Sequence, residues 1–340
     1  MDWNILGHEW AVSLLQAHVT QGDHHHAYLF TGPMGVGRRT LAIRFTQALN
    51  CTKRTSAGGP CLECHTCKRI EKMQHPDLAV VQAEHPGKIL KIEQIRKLGP
   101  SLSLAPYEAR YRVALLLRFE EANQNAANAL LKTLEEPPAR VVLILTAESS
   151  DRLLPTIVSR CEVLRLRPLP LDTLQDGLQT HWAVPAQDAK LLAHLSGGRP
   201  GYALGLFHDP KQLEQRQSSI NQMYQLLSAS RVERFGEGEK LAKDKEHLRR
   251  TLHLWLSIWR DVMLRSAGAN VPLTNLDQAG IVDHLAASCG LAEAQKMVSR
   301  IQRTLDLLDR NINTRLATEV LLLDFPKVRL TEEIPQPLES

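Results

Sequence analysis

The sequence predicts an α/β domain built on a parallel sheet, followed by all-α domains. The first observation behind this is a pair of short apolar runs, Val113-Ala-Leu-Leu-Leu117 and Val141-Val-Leu-Ile-Leu145. They flank the stretch AANALLKTLEEPP, from Ala126 to Pro138. Each run has the length of a strand and no polar alternation, as expected of a strand covered on both faces. Between them Ala127, Leu130, Leu131 and Leu134 recur at helical spacing, and Pro137-Pro138 stops the helix. The second observation is a glycine-rich turn, Thr31 to Thr40, set between a short apolar strand and a helix. The third is the chain from Pro210 to about Phe325, which reads as helical throughout.

A chain of 340 residues has room for two or three domains. Its 43% hydrophobic and 23% charged residues are those of an ordinary soluble globular protein. No apolar run approaches the roughly 20 residues that span a bilayer. The start, Met1-Asp-Trp-Asn, lacks the basic and apolar form of a signal peptide, so a cytoplasmic location is expected. The net charge of +4 is compatible with a partner that binds DNA but is too small to argue DNA binding by itself. No internal repeat or low-complexity block is present.

In chain order, Trp10, Leu14, Leu15 and Val19 mark a helix within Trp3–Gln21 that ends near Gly22. His24-His25-His26 leads directly into the strand Ala27–Phe30; adjacent histidines cannot all face one ion, so the run reads as structural. The turn that follows has the form of a phosphate cradle, in which backbone N–H groups and a helix N-terminus face an anion. A working loop needs Gly-x4-Gly-Lys-Ser/Thr, with lysine on the terminal phosphates and the hydroxyl on magnesium. Here Gly32, Gly35 and Gly37 are present, but Arg38 holds the lysine position and Arg39 the hydroxyl position, ahead of Thr40. Residual binding of ATP or ADP is open; hydrolysis is not expected.

Cys51, Cys61, Cys64 and Cys67 form Cys-x9-Cys-x2-Cys-x2-Cys. Four thiolates at such spacing suit a tetrahedral structural zinc site. A disulfide is the competing reading, disfavoured in a reducing cytoplasm. The loop has almost no core of its own, which a metal would supply. Further on, His75–Val81 has strand character and Ile89–Leu104 reads as an amphipathic helix through Ile92, Ile95 and Leu98. After the second central strand comes Leu153-Leu-Pro-Thr-Ile-Val-Ser-Arg-Cys161, then a strand Glu162–Leu166 and the linker Arg167-Pro-Leu-Pro170. Leu252, Trp255, Leu256, Trp259, Val262 and Met263 mark one strongly amphipathic helix of the all-α part.

These segments together resemble the clamp-loader branch of the AAA+ ATPases, from about Asn4 to about Phe325. The resemblance rests on AANALLKTLEEPP, the Ser-Arg-Cys end at 159–161, the loop at 31–40, the four cysteines at the place of that family's zinc module, and Asn311-Ile-Asn-Thr-Arg-Leu316. It implies an AAA+ domain over 1–167 carrying the zinc module at 51–67, a helical lid over 168–208, a helical collar over 209–326 and a flexible tail over 327–340. It implies DNA replication as the process, with the gamma/tau motor subunits and a delta subunit as partners. The sliding clamp and primer-template DNA would be reached through the complex, with no membrane involved.

The resemblance also supplies a register. Counted back without gaps from AANALLKTLEEPP, the two magnesium-organising acids of a motor subunit fall on Leu117 and Arg118, neither of which can replace them. Glu120 and Glu121 are three residues further along and are expected to be solvated acids leading into the next helix. A third nucleotide contact, the lid arginine of active loaders, falls on Gly201, with Arg199 off register. Arg160, by contrast, matches the arginine that family members point at a neighbour's terminal phosphate. The implied role is a stator that lends Arg160 as an arginine finger and has no ATPase of its own. The alternative is a motor subunit of gamma/tau type. A zinc-dependent DNA-binding module is a third reading, which leaves the sheet and the collar unexplained.

Overall fold

The computed structural model describes residues 3–310 and 313–328. The chain forms two compact units, Met1–His181 with Gly198–Tyr202, and Trp182–Gly197 with Ala203–Ser340. The expected lid segment, 168–208, is thus shared between them. Of the expected tail, residues 329 onward lie outside the described residues, as do Asn311 and Ile312.

Unit 1 is built on five parallel strands, β1 (Ala27–Thr31), β2 (Leu78–Val81), β3 (Arg112–Leu116), β4 (Val141–Ala147) and β5 (Glu162–Arg165). Their spatial order is β2-β3-β4-β1-β5. Every residue of β1, β3 and β4 is buried, which is why these segments read as unbroken apolar runs. Alternate side chains go to opposite faces. Tyr28, Phe30, Val113, Leu115, Val142 and Ile144 join one core with Leu15, Leu41 and Phe45. Ala27, Leu29, Ala114, Leu116, Leu143 and Leu145 join the other with Ile95, Leu98, Leu130 and Ile157. The first core lies under α1 (Glu9–Gln21) and α2 (Arg38–Asn50), where Tyr28 meets Phe45 edge to face at 4.7 Å. Next to α2 lies α3 (His65–Glu71).

The second face shows one departure from expectation. Instead of one helix over Ile89–Leu104 there are two short ones, α4 (Ile92–Arg96) and α5 (Leu98–Leu102). Pro100 has no N–H to continue the ladder begun at Ile92, and its ring crowds the carbonyl four residues back. Residues 89–91 are extended instead, with the Leu90 N–H on the Glu121 carbonyl at 2.9 Å. The strand–helix–strand unit is as expected. α6 (Gln124–Glu135) starts at Asn123, whose side chain accepts from the Ala126 N–H at 2.8 Å, and joins β3 to its parallel neighbour β4. After β4 come α7 (Pro155–Val158), β5 and α8 (Leu171–Trp182). Buried Asp77 fixes the approach to β3, accepting from the Tyr107, Glu108 and Ala109 N–H groups at 2.7–2.9 Å and from Arg112 at 3.0 Å. Burial opposes its ionisation, but these donors outweigh it and hold the carboxyl below its ordinary range.

Unit 2 is helical: α9 (Ala186–Ser196), α10 (Pro200–His208, its first residues in unit 1), α11 (Pro210–Ser228), α12 (Arg231–Leu241), α13 (Lys245–Ser266), α14 (Ala279–Asp309) and α15 (Thr314–Leu323). The expected stripe of α13 is core: Leu252, Trp255, Trp259 and Val262 have no exposed surface. α14 is interrupted at Gly290, whose φ of 70° and ψ of 175° are non-helical. No helix among the described residues is long and apolar enough to cross a membrane.

One charged side chain joins three segments of this unit. Arg234, 3% exposed, donates to the carbonyls of Leu226 and Leu227 at the end of α11, of Leu322 in α15, and of Phe325 and Pro326 beyond it, at 2.7–3.3 Å. Helix-end carbonyls are among the groups a helix leaves unpaired, and a cation suits the negative end of its dipole. Arg234→Leu is expected to strand these carbonyls and to cost unit 2 roughly 3 kcal/mol or more. Urea unfolding combined with hydrogen exchange at α11 and α15 measures this; unchanged exchange there would show that the carbonyls find other partners.

Candidate functional site

The C-terminal ends of β1, β3, β4 and β5 lie side by side, and the loop 32–37 leaves β1 at this edge to enter α2. Its glycines are dictated by geometry. Gly32 has φ +146°, and a Cβ there would lie 2.5 Å from the Leu166 carbonyl oxygen. Gly35 and Gly37 also have positive φ. The Gly32 N–H donates to the carbonyls of Ala147 and Glu148, at 3.3 and 3.1 Å. Buried His8 donates from Nε2 to the Val36 carbonyl at 3.0 Å. The backbone of a phosphate cradle is therefore present.

Its surroundings differ from those of a hydrolytic site. At the lid-arginine position, the Gly201 N–H donates to the Gly35 carbonyl at 2.8 Å. A Cβ on Gly201 would meet that oxygen at 3.0 Å, and one on Gly35 would lie 2.8 Å from the Tyr202 nitrogen. Glycine at 201 thus permits backbone contact where a nucleotide-binding side chain is otherwise expected. Arg199 lies over the Tyr202 ring, 4.6 Å from its centroid. Arg39 and Thr40 are exposed, and Arg39 reaches the Met73 sulfur at 3.5 Å.

Arg38 is buried. Its Nη1 lies 3.9 Å from Oε1 of Glu120, with the two side chains 9% and 10% exposed. Among the described residues, Arg38 Nη1 and Glu120 Oε2 have no hydrogen-bond partner. Burial draws the Arg38 guanidinium below its ordinary range against the pull of Glu120 and Glu148, and burial pushes the Glu120 carboxyl up against the pull of Arg38. This corrects the expectation that Glu120 and Glu121 are solvated. They belong to a single 3₁₀ turn, Phe119–Glu121, entered through Arg118 in the left-handed region at φ 51°. The turn folds both acids inward without any slip of β3. Glu121 is 11% exposed and accepts from Arg118 Nε at 2.9 Å and from the Gly87 N–H at 2.8 Å. Leu117 is buried, and the Arg118 N–H donates to the Thr146 hydroxyl at 2.9 Å. The loop therefore does not fit a magnesium nucleotide: its central cation already faces a carboxylate, and the residue directly after it is Arg39, not a hydroxyl.

The second site is the cysteine module. The sulfurs of Cys51, Cys61, Cys64 and Cys67 lie within 4.8 Å of one another, the one group of three or more metal-ligating side chains so close together among the described residues. Four sulfurs about 2.3 Å from one zinc ion would be about 3.8 Å apart, close to the 4.0 Å between Cys51 and Cys64. Backbone N–H groups surround them: Lys53 and Cys61 donate to Cys51, Cys64 to Cys61, and Cys67 to Cys64, at 3.3–3.4 Å. Burial resists ionisation of Cys64, but the donors from Cys67 and Thr52 outweigh it and bring its thiol down to about 6. The donor set and these N–H···S bonds suit a thiolate-bound metal. Gln47 of α2 donates to the Cys67 carbonyl and to Glu71, tying the module to the sheet's helical layer.

The third element is Arg160, which follows α7. Its side chain is 35% exposed; Nη2 meets Glu135 at 2.8 Å, and Nη1 donates to the Thr156 carbonyl at 2.9 Å. These bonds go to α6 and α7 and not to the loop 31–40. Sequence reasoning had a signal for Glu120, its short distance from the end of β3, and misread its direction. For His8 and for the backbone contact at Gly201 no pattern was available.

The sequence matches two family models, "DNA polymerase III, delta subunit" over residues 7–170 and "DNA polymerase III, delta subunit, C terminal" over residues 210–327. The DNA polymerase III subunit delta' of Pseudomonas aeruginosa is 39% identical over 224 residues, 64% of this chain and 66% of the relative. That of Bacillus subtilis is 29% identical over 302 residues, 88% of this chain and 90% of the relative. The subunit tau of Escherichia coli is 33% identical over 208 residues, 60% of this chain but only 32% of that protein. The second family model lies within the helical unit, and the long delta' alignment takes in 88% of the chain. The chain belongs to the delta-prime family of DNA polymerase III subunits.

Proposed function

We propose that the chain acts as a stator in a cytoplasmic sliding-clamp loader, holding motor subunits of gamma/tau type and a delta subunit through its helical collar, 209–326, behind a lid over 168–208. It lends Arg160 to the ATP bound by one neighbour and hydrolyses none itself. The carrying observation is the contrast between two arginines. Arg38, in the chain's own loop, is buried against Glu120, whereas Arg160 is partly exposed on a short helix. A finger must present a fixed, planar cation where charge builds up on the transferring phosphoryl group. The bonds to Glu135 and Thr156 hold one edge of the guanidinium, which leaves further N–H groups for phosphate oxygens. The tau match supports a motor subunit as second reading, but a motor needs a magnesium site that Arg39, Leu117 and Arg118 do not provide. The sliding clamp and primer-template DNA are reached through the complex.

Zinc is the metal that four thiolates at this spacing suit, in a structural rather than catalytic role, since four protein ligands leave no open position. Elemental analysis should find one zinc ion per chain. Cys64→Ser should lose it and raise protease cleavage within 51–67 while the sheet stays folded. Metal-free protein with an unchanged cleavage pattern would sink the assignment.

Arg160→Ala should leave folding and assembly intact and lower DNA-stimulated ATP hydrolysis by the reconstituted loader. Fingers are worth roughly 10³–10⁵ in rate at the site they serve, so with several motor sites the bulk loss is partial and clamp loading falls further. Arg160→Lys should not restore the rate, because an ammonium lacks the planar fork. The stator reading fails if loading survives Arg160→Ala and the isolated chain turns over ATP.

A further inference from the structure

The degenerate loop retains a backbone cradle and a cation, yet the partner of that cation comes from the chain itself. We infer that Glu120 is the built-in anion of the phosphate loop, closing it to phosphate and nucleotide with an internal carboxylate. The argument begins with burial. Arg38 and Glu120 are each about nine-tenths buried and face one another at 3.9 Å across the loop. An unpaired charge is strongly disfavoured in such a place, because removing an ion from water is costly unless it is compensated. The facing Nη1 and the second carboxylate oxygen have no hydrogen-bond partner among the described residues, so Glu120 is the carboxylate that faces the buried guanidinium, with backbone N–H groups of Glu120 and Glu148 adding to its support.

The wider charge pattern agrees. Arg118, another cation of this edge, is already bonded to Glu121, and Glu148 is paired with Arg152. Glu148 lies near enough to Arg38 to favour its charged form. A phosphate entering the cradle would meet Glu120 and Glu148 as like charges and would find Arg38 already neutralised. Like charges brought together where water is scarce repel strongly, which opposes what the bare backbone cradle offers. The loop thus rejects its expected ligand class by charge. The 3₁₀ turn 119–121 is what delivers the carboxylate. This inference is independent of the role given to Arg160, since it concerns only what the chain's own loop can hold.

The test uses the full-length protein and inorganic pyrophosphate without magnesium. Wild-type protein should show no pyrophosphate-dependent rise in Tm and no binding by calorimetry. Glu120→Ala should melt lower in plain buffer, because Arg38 is left uncompensated, and should regain Tm as pyrophosphate is added. Glu120→Gln keeps the shape without the charge; it should bind pyrophosphate at least about tenfold more tightly than wild type. Arg38→Ala combined with Glu120→Ala should abolish the response. The inference is overturned if wild type binds as well as Glu120→Gln, or if the double variant responds like Glu120→Ala. It is equally overturned if folded Glu120→Gln does not respond, which would assign closure to the packing of Gly201 and Tyr202 on Gly35.

Discussion

The parallel pairing of β1 between β4 and β5 is the constraint on which the rest of the site depends. Thr31, the last residue of β1, lies level with Ala147 on one side and Arg165 on the other. The next residue, Gly32, is therefore brought beneath the carbonyls of Ala147, Glu148 and Leu166, and only a residue without a side chain fits there. The same register sets β3 against β4, so that the chain leaving Leu116 passes Thr146 and turns at Arg118 toward the loop. A shift of one residue would send Phe30 and Ile144 to the wrong core and move Gly32 off its carbonyls. Burial of both sheet faces makes such a shift too costly. The backbone of the glycine-rich turn is consequently fixed by the sheet and not by the side chains at 38 and 39.

Legibility in the sequence followed the same division. Segments whose identity is set by burial were plain: the apolar runs at 113–117 and 141–145, the helix that Pro137 stops, and the stripe around Trp255. The four cysteines were plain because their spacing alone brings the sulfurs together. Features set by a few backbone torsions were not. A left-handed Arg118 carries no pattern, yet it turns Glu120 from solvent into the loop. The apolar residues Ile92, Ile95 and Leu98 keep helical spacing across the break, so periodicity alone does not reveal that α4 and α5 are separate. The contact of Gly201 with Gly35 joins positions far apart in the chain, and the sequence there shows only an unremarkable glycine.

The charges of unit 1 are arranged by accessibility. Arg38 and Glu120 are withdrawn together, whereas Arg160 keeps solvent access and rests on a carboxylate that is itself half exposed. An exposed pair of this kind contributes little stability, so the Arg160–Glu135 contact orients a side chain more than it holds the fold. The cysteine module adds a third use of polar groups. There, amide hydrogens directed at sulfur favour ionisation of Cys64, while burial pushes the Cys51 and Cys67 thiols up, and Gln47 ties that small loop to α2.

Arg234 draws a contrast between the two units in their response to acid. Its acceptors are all peptide carbonyls, which do not titrate, so the corner where α11, α12 and α15 meet holds the same charge state in acid as at neutrality. The comparable corner of unit 1 turns on Asp77, whose carboxyl is held below its ordinary range. The stability that such a group adds is present above its unfolded pKa and is lost as pH falls through the folded one. Acidification therefore loosens the approach to β3 while leaving the Arg234 corner intact. The Arg234 corner is thus a joint that no proton can switch, although unit 2 also holds carboxylate joints, such as Arg216 on Asp277 and buried Asp261 under Asn275.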